Sequence, residues 1–273
     1  MTPVLVDTHS HIQMDRFDDD RQAAIARAAE ASVGYVVVCG DDPETCASAL
    51  ALARAHNGIL PTVGYHPHEA AQIGEAELAQ LRTWSEDPAV RAIGEIGLDY
   101  YREISPPEVQ ARVLDAQLDL AIERGLPVLV HSRAAEDAIA AHLSRYVEAS
   151  PLRGSGREVG IMHCFGGTLE QAERYVEMGF LISLACTVTY PKNEEARRVA
   201  SGISLEKLVI ETDSPFLPPQ EHRGKRNEPA FVSAAAHAIA GVRGISFDEV
   251  AAATTANALR LFAIDAEHRV VLA

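Results

Sequence analysis

Short runs of β-branched and apolar residues alternate along the chain with longer alanine-rich segments. This alternation is typical of strand–helix units that build a parallel sheet. The apolar runs predict eight strands, at Val4–Thr8, Tyr35–Cys39, Leu60–Gly64, Ala92–Glu95, Val128–Val130, Gly160–His163, Phe180–Leu184 and Leu208–Glu211. The alanine-rich segments predict helices at Asp20–Ala31, Asp42–Ala55, Glu75–Trp84, Pro107–Glu123, Ala135–Glu148, Leu169–Met178, Asn193–Ala200 and Pro229–Val242.

Eight strand–helix units in 273 residues match the size of an α/β fold of the closed (β/α)8, or TIM, barrel type. An open, doubly wound sheet has a similar periodicity, and spacing alone does not choose between the two. Phe247–Phe262 predicts an extra C-terminal helix, because Ser246 and Glu249 form a capping box at its start. No repeat or linker divides the chain, so we expect a single domain over residues 1–273.

The composition, 47% hydrophobic and 23% charged, indicates a folded soluble protein. With 39 acidic and 24 basic side chains the net charge is −15, which argues against a protein that coats nucleic acid through overall positive charge. An enzyme that grips a few phosphates locally is not excluded.

Membrane attachment and export are not expected. No apolar run approaches the ~20 residues of a membrane span, and the first residues lack the features of a signal peptide. The four cysteines are scattered without a CxxC pair, which favours reduced thiols and a cytoplasmic location. A closed barrel buries its own core, so no obligate protein partner is implied.

Residues suited to metal binding or acid–base chemistry gather where the apolar runs stop. They are His9 and His11 after the first strand, Glu95 after the fourth, His131 after the fifth, His163 at the end of the sixth and Asp213 after the eighth. In a (β/α)8 barrel the carboxyl ends of the strands converge on one mouth. These side chains therefore predict a metal centre.

His9 and His11 are two residues apart on an extended run, so both rings project to the same side and can share one cation. Alone, the pair could equally be two polar residues at a strand end. Glu95 needs a partner, because an unpaired buried carboxylate costs several kcal/mol. It either bridges two cations or forms a salt bridge with Arg91 or Arg102.

With Glu95 as the bridge, His9, His11 and Asp213 complete one cation site while His131 and His163 complete the second. We expect two divalent ions, drawn from Zn, Mn, Co, Ni, Fe and Mg. Histidine-rich coordination favours the first five over Mg, which prefers oxygen ligands.

In this acidic chain the basic side chains that are candidates for binding an anion are few. They are His66, Arg133, Arg223, Lys225 and Arg226. Arginine offers a bidentate fork to phosphate and lysine a point charge. A solvated loop is the alternative for the last three. Tyr100 and Tyr101 suit stacking on a base or packing against a loop, and His56 and His68 are expected at the surface.

Together these motifs resemble the TatD family of metal-dependent deoxyribonucleases, among the amidohydrolase-like barrel enzymes. The resemblance spans nearly the whole chain and rests on residues 7–11, 63–68, 94–99, 127–133, 163–167, 211–215, 223–229 and 255–262. One departure is Gln13, where the family commonly has an acidic or other small polar residue. That difference concerns contacts around the ligands.

The resemblance implies a (β/α)8 barrel that hydrolyses DNA phosphodiesters with metal-activated water, in some members from the 3′ end. It assigns the metal ligands to His9, His11, Glu95, His131, His163 and Asp213. Asp213 and Glu95 are the expected catalytic carboxylates, with Asp213 orienting the water or taking its proton. His66 is expected to contact the phosphate or assist the leaving group, on DNA that is single-stranded or frayed at its ends.

The same ligands could serve other reactions. An esterase or amidase, including an aminoacyl-tRNA deacylase, is the alternative enzyme, although Pro127–His131 lacks the lysine that many binuclear amidohydrolases carboxylate. A barrel scaffold without turnover is a further alternative, against which the full set of ligand types argues.

Overall fold

The computed structural model describes residues 4–264 and residue 272. Eight parallel strands each pair with the next in chain order. They are β1 (Leu5–Ser10), β2 (Val33–Cys39), β3 (Ile59–Val63), β4 (Ala92–Asp99), β5 (Val128–Arg133), β6 (Gly160–Met162), β7 (Phe180–Ala185) and β8 (Leu208–Glu211). A doubly wound sheet would reverse its strand order at a switch point. The predicted (β/α)8 barrel is therefore confirmed.

Helices follow the strands and surround them. They are α1 (Arg21–Glu30), α2 (Pro43–Ala55), α3 (Glu75–Trp84), α4 (Pro107–Arg124), α5 (Glu136–Ala149), α6 (Leu169–Glu177), α7 (Glu194–Gly202), α8 (Val232–Arg243) and α9 (Phe247–Leu261). Their ends show two local features, of which the second, the capping box, is predicted above. Gly125 takes the left-handed conformation after α4, with φ 63°, and Ser246 with Glu249 forms the capping box of α9.

Over residues 4–264 no single helix is long and apolar enough to cross a bilayer. The segment Pro229–Arg243 and helix α9 meet those criteria only as a pair, and the two are bent by 118° relative to each other.

Two layers of apolar side chains stabilise the barrel. One buried cluster takes at least one residue from each of the eight strands, including Val6, Leu129 and Val209, so it fills the barrel interior. Leu259 and Phe262 of α9 belong to the same cluster, and α9 therefore closes the bottom of the barrel. A larger cluster packs the outer strand faces against the surrounding helices.

Strands β4 and β5 extend further than predicted, to Asp99 instead of Glu95 and to Arg133 instead of Val130. The apolar pattern stops at the first polar residue, but the strands continue because β4 and β5 stay paired as far as Asp99 and Arg133. Helix α8 begins at Val232 instead of Pro229, since Pro229–Phe231 forms a separate 3-10 turn.

Strand β8 meets β1 through a few specific contacts, and these close the barrel. Ser10 forms a parallel bridge with Ser214, and the backbone N–H of Asp213 donates to the carbonyl oxygen of His9 at 2.9 Å. Asp7, fully buried, accepts hydrogen bonds from the N–H and hydroxyl of Thr212 at 2.8 and 2.6 Å. The closure thus brings His9 and Asp213 to the same level of the mouth.

Gly97 generates a stability prediction. It pairs with His131 across β4 and β5, has φ +154°, and a Cβ there would lie 1.9 Å from the His131 carbonyl oxygen. We expect Gly97→Ala to lower the free energy of unfolding by more than about 3 kcal/mol, measured by chemical denaturation.

The control is Gly241→Ala in α8, where a Cβ meets open space. That change should stabilise the protein by about 0.5–1 kcal/mol. A Gly97→Ala protein as stable as the wild type would show that β4 and β5 tolerate separation at this point.

Candidate metal centre

The predicted ligands come together around the carboxylate of Glu95, which is buried in the mouth of the barrel. Its Oε2 lies 3.1 Å from His9 Nε2 and 3.7 Å from His11 Nε2. Its Oε1 lies 3.0 Å from His131 Nδ1 and 3.4 Å from His163 Nε2. The two oxygens of one carboxylate therefore face two different sets of histidines.

This geometry overturns the alternative for Glu95. The predicted salt bridge would place a guanidinium of Arg91 or Arg102 on the carboxylate, whereas the groups within 3.7 Å are histidine nitrogens. Histidine nitrogens are metal ligands when neutral, and arginine is not.

Asp213 stands at the His11 end of the cluster, with its Oδ1 3.6 Å from His11 Nε2. The Nε2 atoms of His9 and His11 are themselves only 3.1 Å apart. His9, His11 and Asp213 offer ligand atoms that all lie within 4.8 Å of one another, and so do His9, Glu95 and His163. Converging nitrogen and carboxylate donors in a buried site fit a divalent transition-metal ion.

Charge and burial oppose each other at these groups. Burial alone would raise the pKa of Glu95, but the neighbouring His163, His66 and His9 hold it well below its usual range. Burial disfavours charged His11, yet Asp41 and the nearby Asp213 and Glu95 carboxylates raise its pKa to about 9. The carboxylates around His11 therefore favour positive charge at that end of the cluster, which a cation would supply in place of a proton.

The outward-facing nitrogen of several histidines meets a second carboxylate. The pairs are His11 Nδ1 with Asp41 Oδ2 at 3.3 Å, His131 Nε2 with Asp99 Oδ2 at 3.4 Å, and His163 Nδ1 with Glu211 Oε1 at 2.9 Å. Carboxylates in this position orient a ligand ring and increase its basicity. Each of these three histidines is thus held between two carboxylates.

Glu211 is itself anchored at the end of β8. Ser183 Oγ donates to its Oε2 at 2.6 Å, and the backbone N–H of Cys164 donates to its Oε1 at 2.7 Å. The sequence motifs include Asp99 and Glu211 but do not reveal this role, and they miss Asp41 altogether. Asp41 comes two residues after β2, so the rule that identifies the candidate ligands, polar residues after strands, applies to it as well.

Gln13, the departure from the family pattern, lies beside the same strand end. Its amide donates to the carbonyl oxygen of Cys39 at 2.6 Å, and His11 Nδ1 lies 3.2 Å from that oxygen. Gln13 therefore acts on the surroundings of His11 Nδ1 and not on Nε2, which faces Glu95 and Asp213.

His66 reaches the centre, with Nε2 3.5 Å from Glu95 Oε1 and its ring 4.6 Å from that of His131. His68 was expected at the surface, and this expectation is wrong. It is partly buried, and its Nε2 lies 2.8 Å from Asp99 Oδ2, because the 3-10 turn Pro67–Gln72 after β3 directs it toward the end of β4.

The basic side chains divide into exposed and anchored groups. Arg133, Arg223 and Lys225 are exposed. The guanidinium of Arg133 lies 4.0 Å from the ring centroid of Tyr101, and that of Arg223 lies 4.3 Å from the ring of Tyr190.

Arg226 is instead partly buried. It forms an ion pair with Asp20 at 2.6 Å and lies 4.2 Å over the ring of Phe17. Arg226 thus ties its loop to the segment between β1 and α1.

A barrel whose mouth carries a buried cluster of histidines and carboxylates is typical of metal-dependent barrel enzymes. The family model for TatD-related DNases matches residues 6–263. YabD of Bacillus subtilis, named an uncharacterized metal-dependent hydrolase, is 38% identical over 265 residues, covering 96% of this chain and 100% of that protein.

The 3′-5′ ssDNA/RNA exonuclease TatD of Erwinia amylovora is 33% identical over 266 residues, covering 95% of this chain and all of that protein. The crystal structure of YjjV, a TatD homologue from Escherichia coli, matches with a TM-score of 0.88 at 35% identity, over 96% of this chain and 98% of that one. The chain therefore belongs to the TatD-related DNase family, and the predicted class, a metal-dependent hydrolase, is confirmed.

Asp41 is suited to test whether the carboxylates beside the outward-facing histidine nitrogens support metal binding. Asp41→Asn keeps the side-chain shape but removes the charge beside His11 Nδ1. We expect metal affinity to fall by about 10- to 100-fold, measured by competition with a chromogenic chelator.

Glu44→Gln, an exposed change of the same charge three residues away in α2, should leave metal affinity unchanged. If Asp41→Asn binds metal as tightly as the wild type, Asp41 does not support His11 as a ligand.

Proposed function

We propose that this chain hydrolyses DNA phosphodiester bonds with two divalent cations, removing nucleotides from the 3′ end of single-stranded or frayed DNA. The observation that carries the proposal is the division of the Glu95 oxygens between two sets of histidines, His9 and His11 at Oε2 and His131, His163 and His66 at Oε1. Relatives named as 3′-5′ ssDNA/RNA exonucleases support the choice of substrate and direction.

In this proposal His9, His11 and Asp213 would hold one cation, His131 and His163 would hold the other, and Glu95 would contribute to both sites. The excess of histidine donors favours Zn, Mn, Co, Ni or Fe over Mg. When bound, such cations activate water as a nucleophile and offset the charge of the reacting phosphoryl group.

Asp213 is the group suited to orient the attacking water or to accept its proton. Burial would raise its pKa, but the contact with His11 and the attraction of His163 and His9 lower the pKa below its ordinary value. The carboxylate therefore stays ionised at neutral pH, as a proton acceptor requires.

His66 is suited to donate a hydrogen bond. Burial lowers its pKa to about 3, so its ring is neutral at pH 7. The backbone N–H of His68 donates to His66 Nδ1 at 3.1 Å, so the ring proton of the neutral form belongs on Nε2. That N–H faces the centre and can donate to a phosphate or leaving-group oxygen.

Arg133, Arg223 and Lys225 are exposed on segments at the strands' carboxyl ends and supply positive charge for neighbouring phosphates. Substrate contact by Arg226 stays a prediction. Its ion pair with Asp20 supports a different contribution, in which it fixes the loop that carries Arg223 and Lys225.

The esterase or amidase alternative is not favoured. Strand β5 contains no lysine that could be carboxylated to bridge metals, and several relatives more than 30% identical are named as exonucleases. The cytoplasmic location and the single domain over 1–273 stay predictions, and residues 1–3, 265–271 and 273 of that range lie outside the described residues.

The test digests 5′-labelled single-stranded and duplex DNA with each of several divalent ions, with charged tRNA as a parallel substrate. We expect a ladder that shortens from the 3′ end, disappears with a chelator and returns with metal. Asp213→Ala and Glu95→Ala should lower the rate by at least about 10³-fold while circular dichroism stays that of the wild type.

Asp248→Ala, at an exposed site in the first turn of α9, is the matched control and should digest DNA normally. Full metal-dependent activity in Asp213→Ala, or deacylation of tRNA without cleavage of DNA, would contradict the proposal.

A further inference from the structure

Large apolar side chains are exposed at few places in the described part of the chain, and most of these lie on segments that follow strands at the mouth of the barrel. Tyr101 is 68% exposed, Ile104 58%, Phe216 42% and Val242 36%. The first two follow β4 and Phe216 follows β8, so all three are on segments at the carboxyl ends of strands. Only Val242 lies elsewhere, near the end of α8. Exposed apolar groups beside a polar centre point to a ligand that has apolar faces of its own.

Tyr101 and Phe216 belong to opposite sides of the mouth. Strands β4 and β8 are four places apart in a ring of eight, which is half of the circumference. The cluster around Glu95 lies between them. A chain-like ligand that crosses the cluster therefore passes the Tyr101 ring on one side and the Phe216 ring on the other.

Phe216 is fixed to the His11 end of the cluster. Its backbone N–H donates to the carbonyl oxygen of Asp213 at 2.9 Å, and its ring centroid lies 6.1 Å from that of His11. The guanidinium of Arg16 lies 5.7 Å from the Phe216 ring.

Tyr101 is fixed to the His131 end in a similar way. Its backbone N–H donates to Asp99 Oδ1 at 2.9 Å, and the other oxygen of Asp99 lies 3.4 Å from His131 Nε2. Arg133 covers one face of the Tyr101 ring at 4.0 Å, while most of the side chain stays exposed to solvent.

An exposed ring accompanied by an arginine is the combination with which proteins hold single-stranded nucleic acid. The ring stacks on a base of any sequence, and the cation attracts the adjacent phosphate. Bases inside a duplex already stack on each other, so they do not offer a free face.

We propose that Tyr101 and Phe216 stack on the two nucleobases that flank the scissile phosphate, one on each side of the metal centre. The site thereby selects single-stranded nucleic acid with unpaired bases. This inference rests on the proposed nuclease function and names the part of its substrate that these two rings bind.

The test uses Tyr101→Leu and Phe216→Leu, which keep an apolar side chain but remove the ring, in the metal-loaded enzyme. Tyr101→Phe and Phe216→Tyr keep the ring, and Val242→Ala removes exposed apolar surface away from the mouth. Each protein digests a single-stranded oligonucleotide and two versions of it with one abasic residue, at the 3′-terminal or at the penultimate position. Binding of a fluorescent, phosphorothioate-linked oligonucleotide is measured by anisotropy as a readout independent of turnover.

We expect each leucine variant to raise KM and the dissociation constant about 10-fold with kcat within about twofold of the wild type. On one of the two abasic substrates, each leucine variant should show the same KM and dissociation constant as the wild type. The reason is that this substrate lacks the base on which the missing ring would stack. The ring-keeping variants and Val242→Ala should match the wild type.

Leucine variants that bind and digest the intact oligonucleotide like the wild type would overturn the stacking proposal. So would an equal penalty on intact and both abasic substrates, which would mean that the rings serve another partner or the loop structure. If the wild type binds the oligonucleotide but cleaves nothing with any metal, the proposed function is wrong. The dissociation constants of the wild type and the leucine variants, measured by anisotropy, then still test the stacking proposal.

Discussion

The burial of one carboxylate, that of Glu95, is the constraint on which the site depends. An isolated ionised carboxylate in a protein interior costs several kcal/mol, and here the groups that offset the cost are histidine nitrogens from β1, β5 and β6 and the segments that follow them. Each oxygen of Glu95 has its own set of these nitrogens. The arrangement suits two cations that share one carboxylate, and the raised pKa of His11, about 9, reflects the same negative surroundings.

The barrel supplies this arrangement through its closure. Asp7 joins β1 to the end of β8 through Thr212, and Ser10 pairs with Ser214 just above it. Residues about 200 positions apart in sequence thereby become neighbours. Asp41 and Glu211 then contact the outward-facing nitrogens of His11 and His163. Each of these rings is therefore held between Glu95 and a second carboxylate.

Much of this could be predicted from the sequence, because a strand that ends in a polar residue gives a local pattern. The apolar runs located the strands, and the residues after them located His9, His11 and Asp213. What the pattern missed depends on tertiary partners. Strand β4 ends at Asp99, whose carboxylate contacts His68 and His131. Arg226 is partly buried because it forms an ion pair with Asp20 and packs over the ring of Phe17.

The central claim, that Glu95 is shared by two cations, is tested most directly by anomalous diffraction from crystals loaded with Mn or Zn. The account predicts two anomalous peaks, one beside His9, His11 and Asp213 and the other beside His131 and His163, with the Glu95 carboxylate contacting both. A single peak, or two peaks of which Glu95 contacts only one or neither, would contradict it.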